Sequence, residues 1–483
     1  MSDSQMVRVR IAPSPSGYLH VGTARTAIAN YLFARHNKGR FLIRIEDTDA
    51  ARSDPALVQP ILDSLNWLGV AWDEDIVYQS ARLGVYREYA EAILRRGAGY
   101  RCFCSLDLLE KDRREAREQK RPLHYNRRCL KLTPEEIDRK LARGEEYAVR
   151  IRIPEGVTTF ADMVSGELKR SNDEIEDFVI ARSDGSATYN LAVVVDDHDM
   201  GITHVIRGND HITNTFKQLH IYRALDFTAP AFAHIPLLLR PDKRKVSKRL
   251  GDKDVGEYRQ EGILPEALFN FLSLLGWSPK TNREIYTPHE LVEIFTPDNF
   301  NVSNAIFDEE KLEAVNREHI AKKTDHELAV MVAPLLVEAG FTTKYWLETR
   351  WEYLRSVIRL LRQRVRRITD FVNLGSYFFD FDYSYDPAAD EKNFTPEAAE
   401  LLSDLADRFA GLAAFTAPAA ESVLNELAEE RGLKRAKLIH PVRLAVSGVP
   451  GGPGLFEMME LLTGPVIVER LIKAVEYIKK KPS

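Results

Sequence analysis

The chain has 483 residues, 44% of them hydrophobic and 29% charged, with a net charge of −5 and three cysteines. That is the make-up of an ordinary globular protein with room for about three domains, and it excludes a disordered chain, a disulfide scaffold and a uniformly basic nucleic-acid binder. Any polyanionic partner must therefore be met by local patches of Lys and Arg. The opening stretch MSDSQMVRVR lacks the apolar core of a signal peptide, and no apolar run reaches the roughly 18 residues of a membrane span. A cytoplasmic protein without membrane contact is expected.

Val7, Val9 and Ile11 alternate with Arg8 and Arg10, the period-2 pattern of a strand. Pro13, Pro15 and Gly17 end it in a tight turn, and from Ala24 the spacing of Ala24, Ala27, Ile28 and Tyr31 predicts a helix. A strand, turn and helix in that order leave helix N-terminal N–H groups free to face a phosphate, with His20 and Gly22 on the turn. Taken alone, this reads better as an ordinary βα connection that happens to contain His and Gly. Residues 41–45 predict a second buried strand that ends in Glu46, where parallel sheets meet their ligands; Asp47 and Asp49 read as helix caps. Helical patterns run on to Gly99. A stretch of mixed character follows over 100–186, with residues 147–153 strand-like.

Sheet-and-helix patterns resume near Ala187. The acids of 196–199 (DDHD) look like a metal cluster, but without a second ligand group they read better as the polar end of a helix or strand. Residues 204–206 predict a short strand delivering Arg207, and 232–239 an apolar strand leading into Lys245-Val246-Ser247-Lys248-Arg249. That loop lies in a run, 240–253, with seven basic residues, and it suits a mobile lid. Neither G-x-x-x-x-G-K-[ST] nor G-x-G-x-x-G after a strand is present; the glycines of 448–454 are interleaved with prolines and read as a plain turn. From Leu264 onward the sequence predicts helix, including one over 304–316. Residues 350–371 predict a single helix whose apolar stripe is Leu354, Ile358, Leu361, Val365 and Ile368, beside a cationic stripe of Arg355, Arg359, Arg362 and Arg366. After an irregular aromatic and acidic stretch, 377–390, helices continue to the end, without internal repeats.

RIAPSPSGYLHVGTART, RIEDTD, VVDDH, VIRGNDH and KVSKR, in this order, resemble bacterial glutamyl-tRNA synthetases, a class I family, from residue 7 past 258 and more weakly to the C-terminus. The resemblance implies an α/β Rossmann-like nucleotide-binding domain (1–99 and 187–258) with an inserted α+β acceptor-binding domain (100–186). All-α stem-contact (259–330) and anticodon-binding (331–483) domains follow, the latter in two sub-bundles, 331–385 and 386–483. It implies a ligase that activates L-glutamate with ATP and Mg2+ and transfers it to the terminal adenosine of tRNA(Glu). A form that also charges tRNA(Gln) is the alternative, and a monomer is expected.

By the same resemblance, Arg10, Ala12, Ser14, Glu46, Tyr189 and Arg207 bind glutamate, with Arg10 and Arg207 clamping its γ-carboxylate. His20, Gly22, His211, Lys245 and Lys248 bind ATP, and His20, Lys245, Ser247 and Lys248 act in catalysis. Arg355, Arg359, Arg362, Arg364 and Arg366 are expected to contact tRNA. Some relatives bind Zn2+ through cysteines spaced as Cys102 and Cys104. Here the set would be Cys102, Cys104 and Cys129 with Tyr125 or His124, since Lys131 stands where some members have His; three free cysteines are the alternative. Two further departures are Val193, where some members have Asn, and Asn209, where many have an acid. The rival functions are a nucleotidyltransferase acting on a small metabolite and a catalytically silent tRNA-binding relative.

Overall fold

The computed structural model describes residues 6–49, 53–120, 124–246 and 252–481. The chain forms two compact units, one from Met1–Tyr258 with Leu268–Glu309, the other from Arg259–Ala267 with Glu310–Ser483. The segment 259–330 thus contributes to both.

In the first unit the strands are β1 (Arg8–Ile11), β2 (Arg40–Ile45), β3 (Val77–Tyr78), β4 (Gly99–Cys102), β5 (Ala148–Ile151) and β6 (Val157–Asp162). They continue as β7 (Gly166–Ser171), β8 (Val179–Ala181), β9 (His204–Gly208), β10 (Ala231–Ile235), β11 (Leu238–Leu239) and β12 (Ala305–Ile306). Helices α1 (Val21–His36), α2 (Val58–Trp67), α3 (Leu83–Arg95), α4 (Leu106–Glu118), α5 (Pro134–Ala142), α6 (Tyr189–Asp199) and α7 (Ile212–Leu225) lie between them.

β1, β2 and β3 run parallel in that order, and β7-β6-β10-β9 form a second sheet in which only β7 is antiparallel. The two sheets meet at Thr203, whose N–H donates to Arg8 O at 2.9 Å while Arg8 N–H donates to Thr203 Oγ1 at 2.9 Å. From that seam the chain leaves β1 toward β2 on one side and β9 toward β10 on the other. Such a reversal leaves a crevice at the carboxyl ends of the two central strands. β1 is buried on both faces, so Arg10 does not alternate into solvent as period 2 predicts. A strand flanked on both sides inside a sheet has no wet face. β6, from the stretch expected to be inserted, pairs with β10 through Asp162 and Phe232, whereas β4-β5-β8 form a separate antiparallel sheet. One core packs β8 and the second sheet against α3, α6 and α7 through Ile180, Phe232, Ile93, Leu191, Val195 and Ile221.

Two expectations fail locally. The single strand over 232–239 is interrupted at Pro236, which has no N–H to give, and the second piece, β11, pairs with β12 instead. For the same reason 304–306 are not helical. Ala305 N–H donates to Leu237 O at 3.0 Å, Phe307 N–H to Leu239 O at 2.8 Å, and the helix begins only at Glu309.

Among its described residues the second unit is helical. The helix expected over 350–371 is broken: Trp351–Leu361 ends in a 3-10 turn, Arg362–Arg364, and Val365 is extended with φ −92° and ψ 142°. The break is held by side chains. Asp370 Oδ2 accepts from Arg366 N–H at 2.8 Å and Arg367 N–H at 2.9 Å, and Asn316 Nδ2 donates to Arg366 O at 2.6 Å. Ile368 N–H donates to Gly262 O at 2.9 Å. Gly262 has φ +87°, and a Cβ there would fall 2.7 Å from Thr369 N, so glycine is required on both counts. The apolar stripe survives the break, since Leu354, Ile358, Leu361, Val365 and Ile368 are all buried. The irregular aromatic stretch wraps the buried Arg470, which donates to Tyr377 O at 2.7 Å and lies 4.9 Å from the Tyr383 ring centre.

Candidate active site

A cavity of about 330 Å³ opens at the carboxyl ends of β1 and β9. Its wall includes Arg10, Ala12, His20, Gly22, Glu46, Tyr189, Arg207, His211 and Lys245, so nine of the residues expected at the site are brought together there. Ser14 is not among them; it is exposed on the turn after β1. Ser247 and Lys248 lie outside the described residues. Val193, one turn beyond Tyr189, is buried away from the cavity.

α1 starts three residues before the predicted onset, because His20 is its cap. Nδ1 of the ring accepts from Gly22 N–H at 3.1 Å and Thr23 N–H at 3.4 Å, which leaves the proton on Nε2, 3.0 Å from Thr23 Oγ1. The ring lies so close over Gly22 that a Cβ there would meet His20 Cε1 at 3.0 Å. His-x-Gly is thus one packing unit in which the imidazole shields the first N–H groups of the helix.

The floor of the cavity is a buried charge network centred on the end of α6. Asp197 accepts from Arg10 Nε at 2.9 Å, from Arg10 Nη2 at 3.2 Å and from Arg44 Nη1 at 2.6 Å. Asp196 accepts from Gln79 at 2.7 Å, Arg82 at 2.7 Å and the Tyr86 hydroxyl. Burial pushes the Asp197 carboxyl up, but Arg10 and Arg44 outweigh it and hold it at about 2. The acids of 196–199 are therefore counterions to arginines and not a metal cluster. Glu46 sits 3.4 Å from Arg44 Nη2; burial lifts its pKa against the pull of Arg44 and Arg10.

Arg207 reaches the cavity from β9. Its Nη2 donates to Thr215 Oγ1 at 2.6 Å and Gln218 Oε1 at 2.8 Å, its Nε to His234 Nε2 at 3.4 Å, and Nη1 is buried without a hydrogen-bond partner. Burial lowers its pKa. Tyr189 OH and His211 Nδ1 are 3.0 Å apart, and burial, then Arg207, brings His211 down to about 4, so its ring is neutral near pH 7. Lys245 Nζ is held by Asp210 Oδ2 at 2.6 Å. The basic run around it is not free either: Arg240 pairs with Asp252 at 2.5 Å, Arg244 with Asp242 at 2.5 Å and Lys253 with Glu309 at 3.4 Å.

Sequence reasoning missed Arg44, Arg25, Thr215, Gln218, His234 and Asp162. Arg25 lines the cavity, donates to Leu275 O at 2.8 Å and is brought down to about 9 by burial. Only a buried charge inside an apolar strand, Arg44 in RFLIRI, could have signalled one of these.

Away from the cavity, the thiols of Cys102, Cys104 and Cys129 lie within 4.8 Å of one another, and the Tyr125 hydroxyl is 3.5 Å from Cys102 Sγ and 3.4 Å from Cys104 Sγ. Ligands on a tetrahedral zinc with bonds of about 2.0–2.3 Å stand about 3.3–3.8 Å apart, the spacing of the Tyr125 hydroxyl from Cys102 and Cys104 and of Cys104 Sγ from Cys129 Sγ at 3.6 Å. His124 is exposed and lines a different cleft. The three groups share their protons unequally: a hydrogen bond from Cys129 lowers the Cys102 pKa, while the bond to Cys102 raises that of Cys129, and burial raises that of Tyr125.

The arginines expected on one face of a single helix divide between the helix Trp351–Leu361 and the turn after it. Four of them have acidic partners: Arg355 meets Glu352 at 2.7 Å, Arg359 and Arg362 meet Asp325 at 2.9 and 3.5 Å, and Arg366 meets Glu313 at 3.3 Å. The face therefore mixes signs, contrary to the sequence pattern: Glu352 lies on the same helix, and Asp325 and Glu313 arrive from other helices. Arg364 is exposed.

Residues 6–314 match the family described as tRNA synthetases class I (E and Q), catalytic domain, and residues 327–475 match an anticodon binding domain. The chain is 42% identical to the glutamate–tRNA ligase of Moorella thermoacetica over 98% of this chain and 99% of the relative. It is 40% identical to glutamate–tRNA ligase 1 of Caldanaerobacter subterraneus over 98% of each. Among solved structures it is similar to the glutamate tRNA ligase of Elizabethkingia meningosepticum in complex with its amino acid, with a TM-score of 0.88 and 31% identity, covering 98% of this chain and all of that one. Among the described residues no helix is long and apolar enough to cross a membrane.

Proposed function

The chain belongs to the glutamate–tRNA ligases of class I, and from that premise we propose how its own residues carry the reaction. The observation that carries the assignment is the pair Arg10 and Arg207 on one cavity wall, with Glu46, the α1 N-terminus and Lys245 around them. Two guanidiniums suit one carboxylate, because each offers planar N–H pairs. Glutamate's γ-carboxylate goes between them and its α-ammonium group to Glu46, beside Tyr189 and Ala12. A neutral amide would leave the charge of Arg207, whose hydrogen-bond partners are uncharged, without a counterion, which is the basis for preferring glutamate to glutamine.

ATP, entering as its Mg2+ complex, sets its triphosphate at the α1 N-terminus by His20 and Gly22, with His211 close by as a neutral ring. The α-carboxylate of glutamate attacks the α-phosphorus, the bond to the β,γ-phosphates breaks, and pyrophosphate leaves. Lys245, released from Asp210, and the loop carrying Ser247 and Lys248 stabilise the charge on that leaving group. The ribose hydroxyl of the terminal tRNA adenosine then attacks the glutamyl carbonyl and releases AMP. No protein nucleophile is needed; catalysis is positioning and electrostatics.

Cys102, Cys104, Cys129 and Tyr125 would hold Zn2+, which when bound supplies a structural cross-link to the β4-β5 region. Arg355, Arg359, Arg362, Arg364 and Arg366 would meet the tRNA backbone, the ion-paired ones exchanging an acid for a phosphate.

Charging of purified tRNA(Glu) and tRNA(Gln) with radiolabelled glutamate tests the assignment. Product on tRNA(Glu) alone identifies a discriminating enzyme, and product on both a broad one. No product on either, with folded protein and ATP present, sinks the proposed activity.

A further inference from the structure

The hydrogen-bond partners of Arg207 are all uncharged, in contrast to Arg10, which gives two N–H groups to Asp197. Behind Arg207 the bonds have one consistent direction. Asp162, at the end of β6, is a buried carboxylate and can only accept, so His234 Nδ1, 2.6 Å away, carries a proton. The carboxylate is fixed in turn by Val164 N–H at 3.1 Å, Ser165 N–H at 2.8 Å and His234 N–H at 3.1 Å. A neutral imidazole protonated on Nδ1 must accept at Nε2, where the Thr215 hydroxyl stands at 2.9 Å and Arg207 Nε at 3.4 Å. Thr215, having given its proton to the ring, accepts from Arg207 Nη2, as does Gln218 Oε1, whose own amide is oriented by Asn190 Oδ1 at 3.3 Å. Burial keeps His234 in that neutral form.

We propose that Asp162, His234, Thr215 and Gln218 are positioning residues for substrate selection: they hold the Arg207 guanidinium by neutral acceptors only, so that its charge stays uncompensated and its buried Nη1 is presented to the side-chain carboxylate of the substrate. The cradle fixes the direction of the fork without supplying an anion. A side-chain amide would leave the charge of Arg207 buried without a counterion, the costly outcome for a desolvated cation. Arg10, already neutralised by Asp197, adds geometry more than charge. Selection for the acid over the amide thus rests on Arg207 and on the neutrality of what holds it. This deepens the proposed placement of the γ-carboxylate and rests on it.

The test uses the full-length enzyme with tRNA present, in ATP–pyrophosphate exchange with glutamate and with glutamine. Gln218→Glu places a carboxylate beside Nη2 in an isosteric side chain, and should cut the preference for glutamate over glutamine by roughly tenfold or more. His234→Leu removes the acceptor and should raise the KM for glutamate by roughly tenfold, with the KM for ATP within about twofold, while His234→Gln restores an acceptor and recovers most of the loss. An unchanged amino-acid preference in Gln218→Glu overturns the proposal, and so does an equal rise in both KM values in His234→Leu. If His234→Leu does not fold, Gln218→Glu decides alone. Arg207→Ala separates the two levels. If it leaves the glutamate KM unchanged, the carboxylate placement itself is wrong; if it raises that KM while the cradle variants do nothing, only the cradle falls.

Discussion

The two oxygens of Asp197 are shared by three guanidinium nitrogens, two from Arg10 and one from Arg44, in a place with almost no water. Removing that charge would leave two buried cations facing each other, and Asp197→Asn should cost about 3–5 kcal/mol of stability, read as a lower urea midpoint. The pH dependence has a fixed sign. The folded carboxyl is held at about 2 against an ordinary 3.8, so its contribution is complete above 3.8 and is lost as pH falls from there toward 2. The difference is about 2 kcal/mol. An acid titration of the wild type that shows no such loss relative to Asp197→Asn would refute the ion-pair account. Arg10, Glu46 and Arg207 were legible in the sequence because each ends a strand beside its own motif. Asp197 was not, because its partners sit 187 and 153 residues away and only the folded sheet brings them to it.

Among elements, α1 shows how a motif is built from packing. The predicted helix was right in kind and late in onset, since a histidine cap is invisible to apolar spacing. Gly22→Ala would push the His20 ring off the first N–H groups and should lower stability by about 1 kcal/mol. Kinetically it should raise the KM for ATP while sparing that for glutamate; a change confined to glutamate would refute the assignment. The helix at 351–361 teaches the opposite lesson. Its apolar stripe was read correctly, but the stripe spans a break, because Asp370 and Asn316 satisfy the backbone where periodicity alone would continue the helix. The arginine face looked uniformly cationic because Asp325 and Glu313 are supplied from elsewhere in the unit and Glu352, one turn before Arg355, lies outside the arginine stripe in the sequence pattern. Arg364, exposed on the turn, should contribute to tRNA affinity without touching glutamate or ATP. Filter binding of Arg364→Ala should show weaker binding and a plot of log K against log salt shallower by about one. An unchanged slope would remove it from the phosphate contacts.

For the whole molecule, acid sensitivity should differ between the two units. The first holds His204, His211, His220 and His234, each lowered mainly by burial, with His211 and His220 at about 4; the second holds His319, also lowered. A histidine depressed in the fold takes its proton more readily when unfolded, so stability falls as pH drops from about 6.5 toward 4. Calorimetry at pH 7.5, 6 and 5 should show the unfolding of the first unit shifting down more than that of the second; equal shifts would contradict the assignment of these rings as neutral. The α/β and helical halves were legible as a whole, because hydrophobic period reports element type. The membership of 259–330 in two units was not, since period carries no information on which core an element joins.

The chain passes from one unit to the other three times, at 258/259, 267/268 and 309/310. No single cut returns each unit whole. Severed after 258, the first loses β12, and severed after 309, the second loses Gly262 and the bond it makes to Ile368. Exchange of one whole unit would require three breakpoints rather than one, and a chain split at any one point yields fragments that must find each other again.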